Sequence, residues 1–168
     1  TFNQGFLLEK AIRSILNQSF INYEIIIIDN YSEDNTENLI KNFNNKNIKF
    51  IKNRNYGLLA KSRNIGINQS RSKWIAFLDS DDIWYQDRLK VLFDFIEKDK
   101  DYDVICTDEL IIDKIHNRTK VWKYGPYKND FYKILLKYGS CISVSGSIVK
   151  KKYLVDNKIF FSEERNFA

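Results

Sequence analysis

The sequence predicts an α/β fold with a doubly wound, mostly parallel sheet and helices on both faces, Rossmann-like in plan. Two observations carry that prediction. Segments with apolar residues at helical spacing alternate with short β-branched runs, and those runs are apolar on both sides, as strands are when helices cover both faces of a parallel sheet. A third observation concerns function. Two of the runs end in aspartate, at Asp29 and Asp79, and ligands of open α/β sheets bind beyond the carboxyl ends of the strands.

The elements follow in order. Leu8, Ile12, Ile15 and Leu16 recur at helical spacing behind Asn3, which reads as the cap. Ile25 to Ile28 form a buried strand, followed by the loop Asn30 to Asp34. The segment Asp34-Asn35-Thr36-Glu37 resembles a capping box ahead of Leu39, Ile40 and Phe43. A short strand, Ile48 to Ile51, and a polar loop, Asn53 to Gly57, lead to a helix over 58–69 and a second buried strand, Trp74 to Leu78. Leu89, Leu92, Phe93 and Ile96 make another amphipathic helix, and Val104 to Cys106 another strand. Strand, helix, strand in this order calls for right-handed crossovers. Later the pattern loosens into a hairpin over 109–124, a helix from Phe131 to Leu135, a strand from Ser143 to Val149 and a solvated basic turn, Lys150-Lys151-Lys152. The single proline, Pro126, stands next to Gly125 and marks a boundary. It divides one structural domain into residues 1–124 and 125–168. Thr1-Phe2-Asn3 reads as a loop after a strand, and Glu163 to Ala168 carries no terminating signal, so the expectation is a chain cut at both ends.

Composition narrows the class. The 168 residues, 43% hydrophobic and 29% charged, suit one folded domain and exclude disorder. No apolar run reaches the roughly twenty residues of a membrane-spanning helix, and the first residues lack the pattern of a signal peptide. The net charge of +5 suits any anionic partner and selects none. Cys106 and Cys141 lack metal-ligand spacing and read as reduced, unpaired thiols. His116 reads as a surface residue without a convergent partner.

The chemistry concentrates in Asp79-Ser80-Asp81-Asp82. Three carboxylates within four residues repel one another unless a cation or water offsets them, and a hard divalent ion bridging to phosphate is the usual answer. The plain alternative is a solvated loop in which Asp82 caps the following helix. Arg63 stands either on the solvated face of its helix or at the rim beside that loop. Phe2 is either a base contact or a core aromatic, Asn30 and Ser32 have turn and cap readings, and Trp84 either covers an acceptor pocket or packs under the next helix.

Four segments in order carry a resemblance: Leu16-Asn17-Gln18-Ser19, Ile28-Asp29-Asn30-Tyr31-Ser32, Tyr56-Gly57 through Lys61-Ser62-Arg63-Asn64-Ile65-Gly66, and Trp74-Ile75-Ala76-Phe77-Leu78-Asp79-Ser80-Asp81-Asp82-Ile83-Trp84. In order and spacing they resemble the bacterial-type, inverting family 2 glycosyltransferases of the GT-A fold. The resemblance implies a nucleotide-diphosphate sugar as donor, UDP-sugar favoured, and a glycan or lipid-linked acceptor. It also implies a divalent ion, Mn²⁺ or Mg²⁺, and a role in polysaccharide biosynthesis. No nucleic acid is expected. The expected location is cytoplasmic, at the cytoplasmic face of the inner membrane, with peripheral membrane association of the full-length protein. Position by position, Thr1, Phe2, Asn30, Arg63 and Asp79 fall on nucleotide contacts, and Asp79, Asp81 and Asp82 on the metal motif, with Asp81 the foremost ligand. Asn30 departs from the family's aspartate at the uracil edge and puts the base identity in doubt. The general base, an acceptor-side aspartate, is expected beyond Ala168, with Glu163 and Glu164 as the candidates already present.

Competing readings are weaker on the same residues. A haloacid-dehalogenase-like phosphatase needs its D-x-D at the start of its domain and a Thr or Val where Ile83 stands. A receiver domain needs its acidic pair after the first strand, and an EF-hand needs a glycine this loop lacks. A non-catalytic nucleotide-binding module is the runner-up.

Overall fold

The computed structural model describes residues 1–99, 101–113, 115–125, 131–139 and 142–164. The boundary at Pro126, the thiol of Cys141 and the last residues to Ala168 lie outside them.

Helix α1 (Gly5–Leu16) and helix α2 (Thr36–Asn42) pack against the strand pair β1 (Ile25–Asp29) and β2 (Ile48–Lys52), which run parallel with Ile25 opposite Ile48 and Asp29 opposite Lys52. Leu8, Ile12, Ile25, Ile27 and Ile40 form the core of this half, with Leu39, Phe43 and Phe50 around them. Side chains alternate along a strand, so Ile26 and Ile28 point to the opposite face, where helix α3 (Leu59–Gln69) packs on β1. A second core of Ile67, Ile75, Val149 and Leu154 joins α3 to the other half of the molecule.

That other half carries the antiparallel pairings of a mixed sheet. Strand β3 (Trp74–Ala76) and strand β4 (Val104–Cys106) both pair antiparallel with β7 (Ser147–Lys150), which lies between them. The α/β class holds, but the pairings among the described residues are mixed. A hairpin, β5 (Glu109–Asp113) with β6 (Arg118–Trp122), stands apart as its own ladder. Helix α4 (Arg88–Lys98) precedes β4, and helices α5 (Phe131–Tyr138) and α6 (Lys151–Asp156) flank β7. No described helix is long and apolar enough to cross a membrane.

Several local expectations need correction. β3 ends at Ala76, two residues short of Leu78, where its pairing with β7 stops at Ile148; Phe77 makes an edge-to-face contact with Phe161. Asn3 does not cap α1; Gln4 holds that position, and the Asn3 side chain accepts from the Glu33 N–H. No capping box closes at α2. The Asp34 carboxylate instead accepts from the N–H of Thr36 and from the N–H of Gly5, tying the starts of both helices together. A Cβ at Gly5 would stand 3.2 Å from the Thr36 hydroxyl, a tight contact that the glycine avoids. Lys150 to Lys152 is not a turn: Lys150 ends β7 and the next two residues open α6, with Lys152 still exposed. Lys150 bonds Asp103, Lys151 bonds the Ser70 carbonyl and Lys152 pairs with Asp156. His116 has a partner, Asp113, 2.6 Å away within the hairpin turn.

Candidate functional site

The first wall of the site grows from the end of β1. Asp29 is buried, and its carboxylate accepts from the N–H and hydroxyl of Ser32, which folds the loop back on the strand. Tyr31 takes a positive φ of 60° at the apex and lifts its ring into solvent beside Arg54. Asn30 lies between. Its side-chain oxygen accepts from the backbone N–H of Asn55 at 2.9 Å, and the Asn55 amide in turn accepts from Gly57 and donates to Ser62 of α3. The loops after β1 and β2 are thereby joined to the start of α3. Thr1 runs along the free edge of β1, donating to the Ile28 carbonyl and accepting from the Asn30 N–H. Phe2 is half exposed and not a core residue.

The second wall is the loop after β3. The Asp82 N–H donates to the Asp79 carbonyl, closing a turn, and the Asp79 N–H donates to the hydroxyl of Ser145, a buried residue ahead of β7. Ser80 bonds the Gln4 side chain at 2.6 Å, fixing this loop to the start of α1. Partial burial pushes the Asp82 carboxyl above the usual range; a bond from Ser145 opposes this, and the charges of Asp81, Asp79 and Glu109 add to it. Asp82 does not cap α4, which begins at Arg88 behind Asp87. Trp84 packs against that helix start, with the Arg88 guanidinium 4.4 Å from its ring centre and its indole N–H on the Ser145 carbonyl. Burial lowers the Arg88 pKa to about 10, which leaves it charged at neutral pH.

α3 closes the site. One terminal nitrogen of Arg63 donates to both carboxylate oxygens of Asp79, at 3.0 and 3.2 Å, with the Arg63 side chain four-fifths covered and that of Asp79 about half exposed. The solvated-face reading of Arg63 therefore fails. Asn30 is bonded to Thr1 at the end of β1, Arg63 is paired with Asp79 after β3, and Asp81 is exposed. Among the described residues, no three carboxylate, imidazole or thiol side chains converge as a ready metal cage. The carboxylates are hard oxygen donors on an open loop, a set that suits an ion whose remaining ligands come from a bound phosphate. Glu163 is bonded to the Asn64 amide at 2.8 Å, and Glu164 is exposed with its N–H on Ser162. Asn64, Asn55 and Ser145 were not singled out from the sequence. An asparagine in mid-helix, poor in helix propensity, was the one available signal.

Against this geometry, the family model for glycosyl transferase family 2 matches residues 1–154. The chain belongs to glycosyl transferase family 2. An uncharacterised glycosyltransferase of Methanocaldococcus jannaschii is 36% identical over 95% of this chain and 58% of its own length. The UDP-Glc:alpha-D-GlcNAc-diphosphoundecaprenol beta-1,3-glucosyltransferase WfgD of Escherichia coli is 30% identical over 86% of this chain and 56% of its own. Among solved structures, Staphylococcus aureus TarS 1–349 in complex with UDP superposes with a TM-score of 0.78, 23% identity and coverage of 97% of this chain and 48% of that one. The mannosyltransferase PcManGT of Pyrobaculum calidifontis, solved with GDP-Man and Mn²⁺, gives 0.68 at 15% identity over 98% and 46%. These likenesses establish the GT-A fold of this family 2 member. The chain spans about half the length of the curated relatives it matches.

Proposed function

We propose that this family 2 chain binds a nucleotide-diphosphate sugar, UDP-sugar foremost, for transfer of the sugar to a glycan or lipid-linked acceptor. The observation that carries the reading is the Arg63–Asp79 pair, which sets a cation against the acidic loop after β3. A cation and an acidic loop on one rim suit a ligand that is an anion bridged by a metal. The names of the relatives point the same way, since the E. coli enzyme uses UDP-Glc and a diphosphoundecaprenol-linked acceptor. Peripheral association with the cytoplasmic face of a membrane goes with that class of acceptor.

In this reading Thr1, Phe2 and Asn30 hold the nucleobase, Arg63 the diphosphate, and Asp79 the ribose. Asp81, with Asp79 and Asp82, would hold Mn²⁺ or Mg²⁺, whose charge would offset the negative charge gathering on the departing diphosphate. The chain's own part is preorganisation. Asn30 and Asp79 are held by bonds to Asn55 and Ser145 before any ligand arrives, so little order remains to be created on binding. The Asn30 amide both donates and accepts, which suits an imide edge such as uracil.

Isothermal titration of the chain with UDP and with GDP, each with and without Mn²⁺, tests this. The expected result is saturable, Mn²⁺-dependent binding that favours UDP. Absence of binding by any nucleoside diphosphate would contradict it.

A further inference from the structure

Arg63 and its neighbour Asn64 face different partners. Arg63 reaches Asp79, and its guanidinium carbon also lies 5.4 Å from the ring centre of Phe161. Asn64 is buried at 7% exposure and spends its whole amide on the segment that contains Phe161. Its oxygen accepts from the Phe161 N–H at 2.9 Å, and its nitrogen donates to the Phe161 carbonyl at 2.9 Å and to a Glu163 carboxylate oxygen at 2.8 Å. These bonds join residues 97 and 99 positions apart in the chain. Both polar groups of the Phe161 backbone are therefore gripped by a single side chain. The Phe161 ring is fixed in turn by its edge-to-face contact with Phe77, centroids 5.5 Å apart, just upstream of Asp79.

We propose that Asn64 is a positioning residue for nucleotide binding: it holds Phe161 beneath Arg63, so that the guanidinium is kept at the Asp79 rim. The proposal rests on the reading that Arg63 serves the diphosphate. Three constraints then define where Arg63 can lie, namely the Asp79 carboxylate, the Phe161 ring face and the helix that carries it. Removing the amide frees the Phe161 backbone, and Arg63 loses the apolar floor that limits its rotamers. A long cation that must be reordered on binding costs affinity for the anionic end of the ligand alone. Aspartate at 64 keeps the acceptor for the Phe161 N–H but loses both donors and sets a charge against Glu163.

The experiment is a double-mutant cycle read by calorimetry, with UDP and uridine as probes and Mn²⁺ present. Asn64→Ala is expected to weaken UDP about fivefold and to leave uridine within about twofold. In an Arg63→Ala background, the same substitution is expected to change UDP affinity by less than about twofold, because the group being positioned is gone. Phe161→Leu, which keeps every backbone bond to Asn64, is expected to weaken UDP about threefold and serves if Asn64→Ala does not fold. Replacing Asn64 by Asp together with Glu163→Gln restores a bond between the two side chains and is expected to recover part of the loss seen with Asp alone. Unchanged UDP affinity in Asn64→Ala or Phe161→Leu overturns the proposal, as does an equal loss for UDP and uridine. If Arg63→Ala itself weakens both probes equally, the reading of Arg63 fails and the proposal falls with it.

Discussion

Arg63 and Asp79 are joined through one guanidinium nitrogen that serves both carboxylate oxygens, although the residues come from different elements, α3 and the loop after β3. Among the described residues the other guanidinium donors of Arg63 make no hydrogen bond, and in the proposed reading they serve the ligand. Charge-assisted bonds of this kind contribute about 1.5–3 kcal/mol each. Arg63→Ala is therefore expected to weaken UDP at least about tenfold, about 1.4 kcal/mol, and uridine hardly at all. Arg63→Lys keeps the charge without the planar fork and should fall between. Titration of the variants with both ligands checks this.

Asn30 has a structural duty and a recognition duty that one substitution can separate. Its side-chain oxygen satisfies the Asn55 N–H. Asn30→Ala leaves that half-buried donor without its partner, at a cost of about 1–3 kcal/mol in denaturant unfolding. Asn30→Asp keeps the acceptor and restores the residue type usual in the family, so stability should be held and preference for UDP over GDP should rise. A loss of stability equal to that of the alanine variant would assign the role of Asn30 to the fold alone.

Glu24 predicts a pH dependence. Burial pushes its carboxyl up, but bonds from the Arg71 N–H, the Ser72 hydroxyl and the Arg71 guanidinium more than offset this and hold it below the usual range. A carboxyl lower in the folded than in the unfolded state gives stability that is present above the unfolded value and lost as pH falls through the folded one. The loop after α3 should thus loosen in acid below about pH 4.3. Glu24→Gln should lower stability at pH 7 by about 1–3 kcal/mol and flatten the curve between pH 5 and 3. Urea unfolding across that range checks it.

The core makes a simpler prediction. Ile67 is 1% exposed and joins α3 to β3, β7 and α6. Ile67→Ala should cost about 2–5 kcal/mol and release the helix that carries Arg63 and Asn64. Thermal unfolding with and without UDP should then show a lowered midpoint and a reduced shift on ligand addition.

The first half of the fold was legible because its strands are β-branched runs and its helices keep strict periodicity, as with Ile25 to Ile28 and Leu8, Ile12. β7 was harder. A strand reads the same in either direction, and only the fold shows Ile148 lying opposite both Ala76 and Ile105 in antiparallel register. The acidic loop was legible from spacing, since Asp79 and Asp81 follow an apolar strand. The supports of the site were not. Ser145 and Asn64 reach Asp79 and Phe161 across 66 and 97 positions, and a single hydroxyl or amide gives no periodic signal at that range. Asp34 was read as part of a capping box, whereas its second partner, Gly5, lies in another helix.

A metal-assisted nucleotide site on the loop after β3 depends most directly on Asp81, which is exposed two residues after Asp79. The decisive measurement is titration of the parent chain and of Asp81→Ala with UDP at several Mn²⁺ concentrations. The account predicts that UDP affinity in the parent rises with Mn²⁺, and that Asp81→Ala loses at least about tenfold, about 1.4 kcal/mol, together with most of the Mn²⁺ dependence. Equal affinity and equal Mn²⁺ dependence in the two proteins would contradict it.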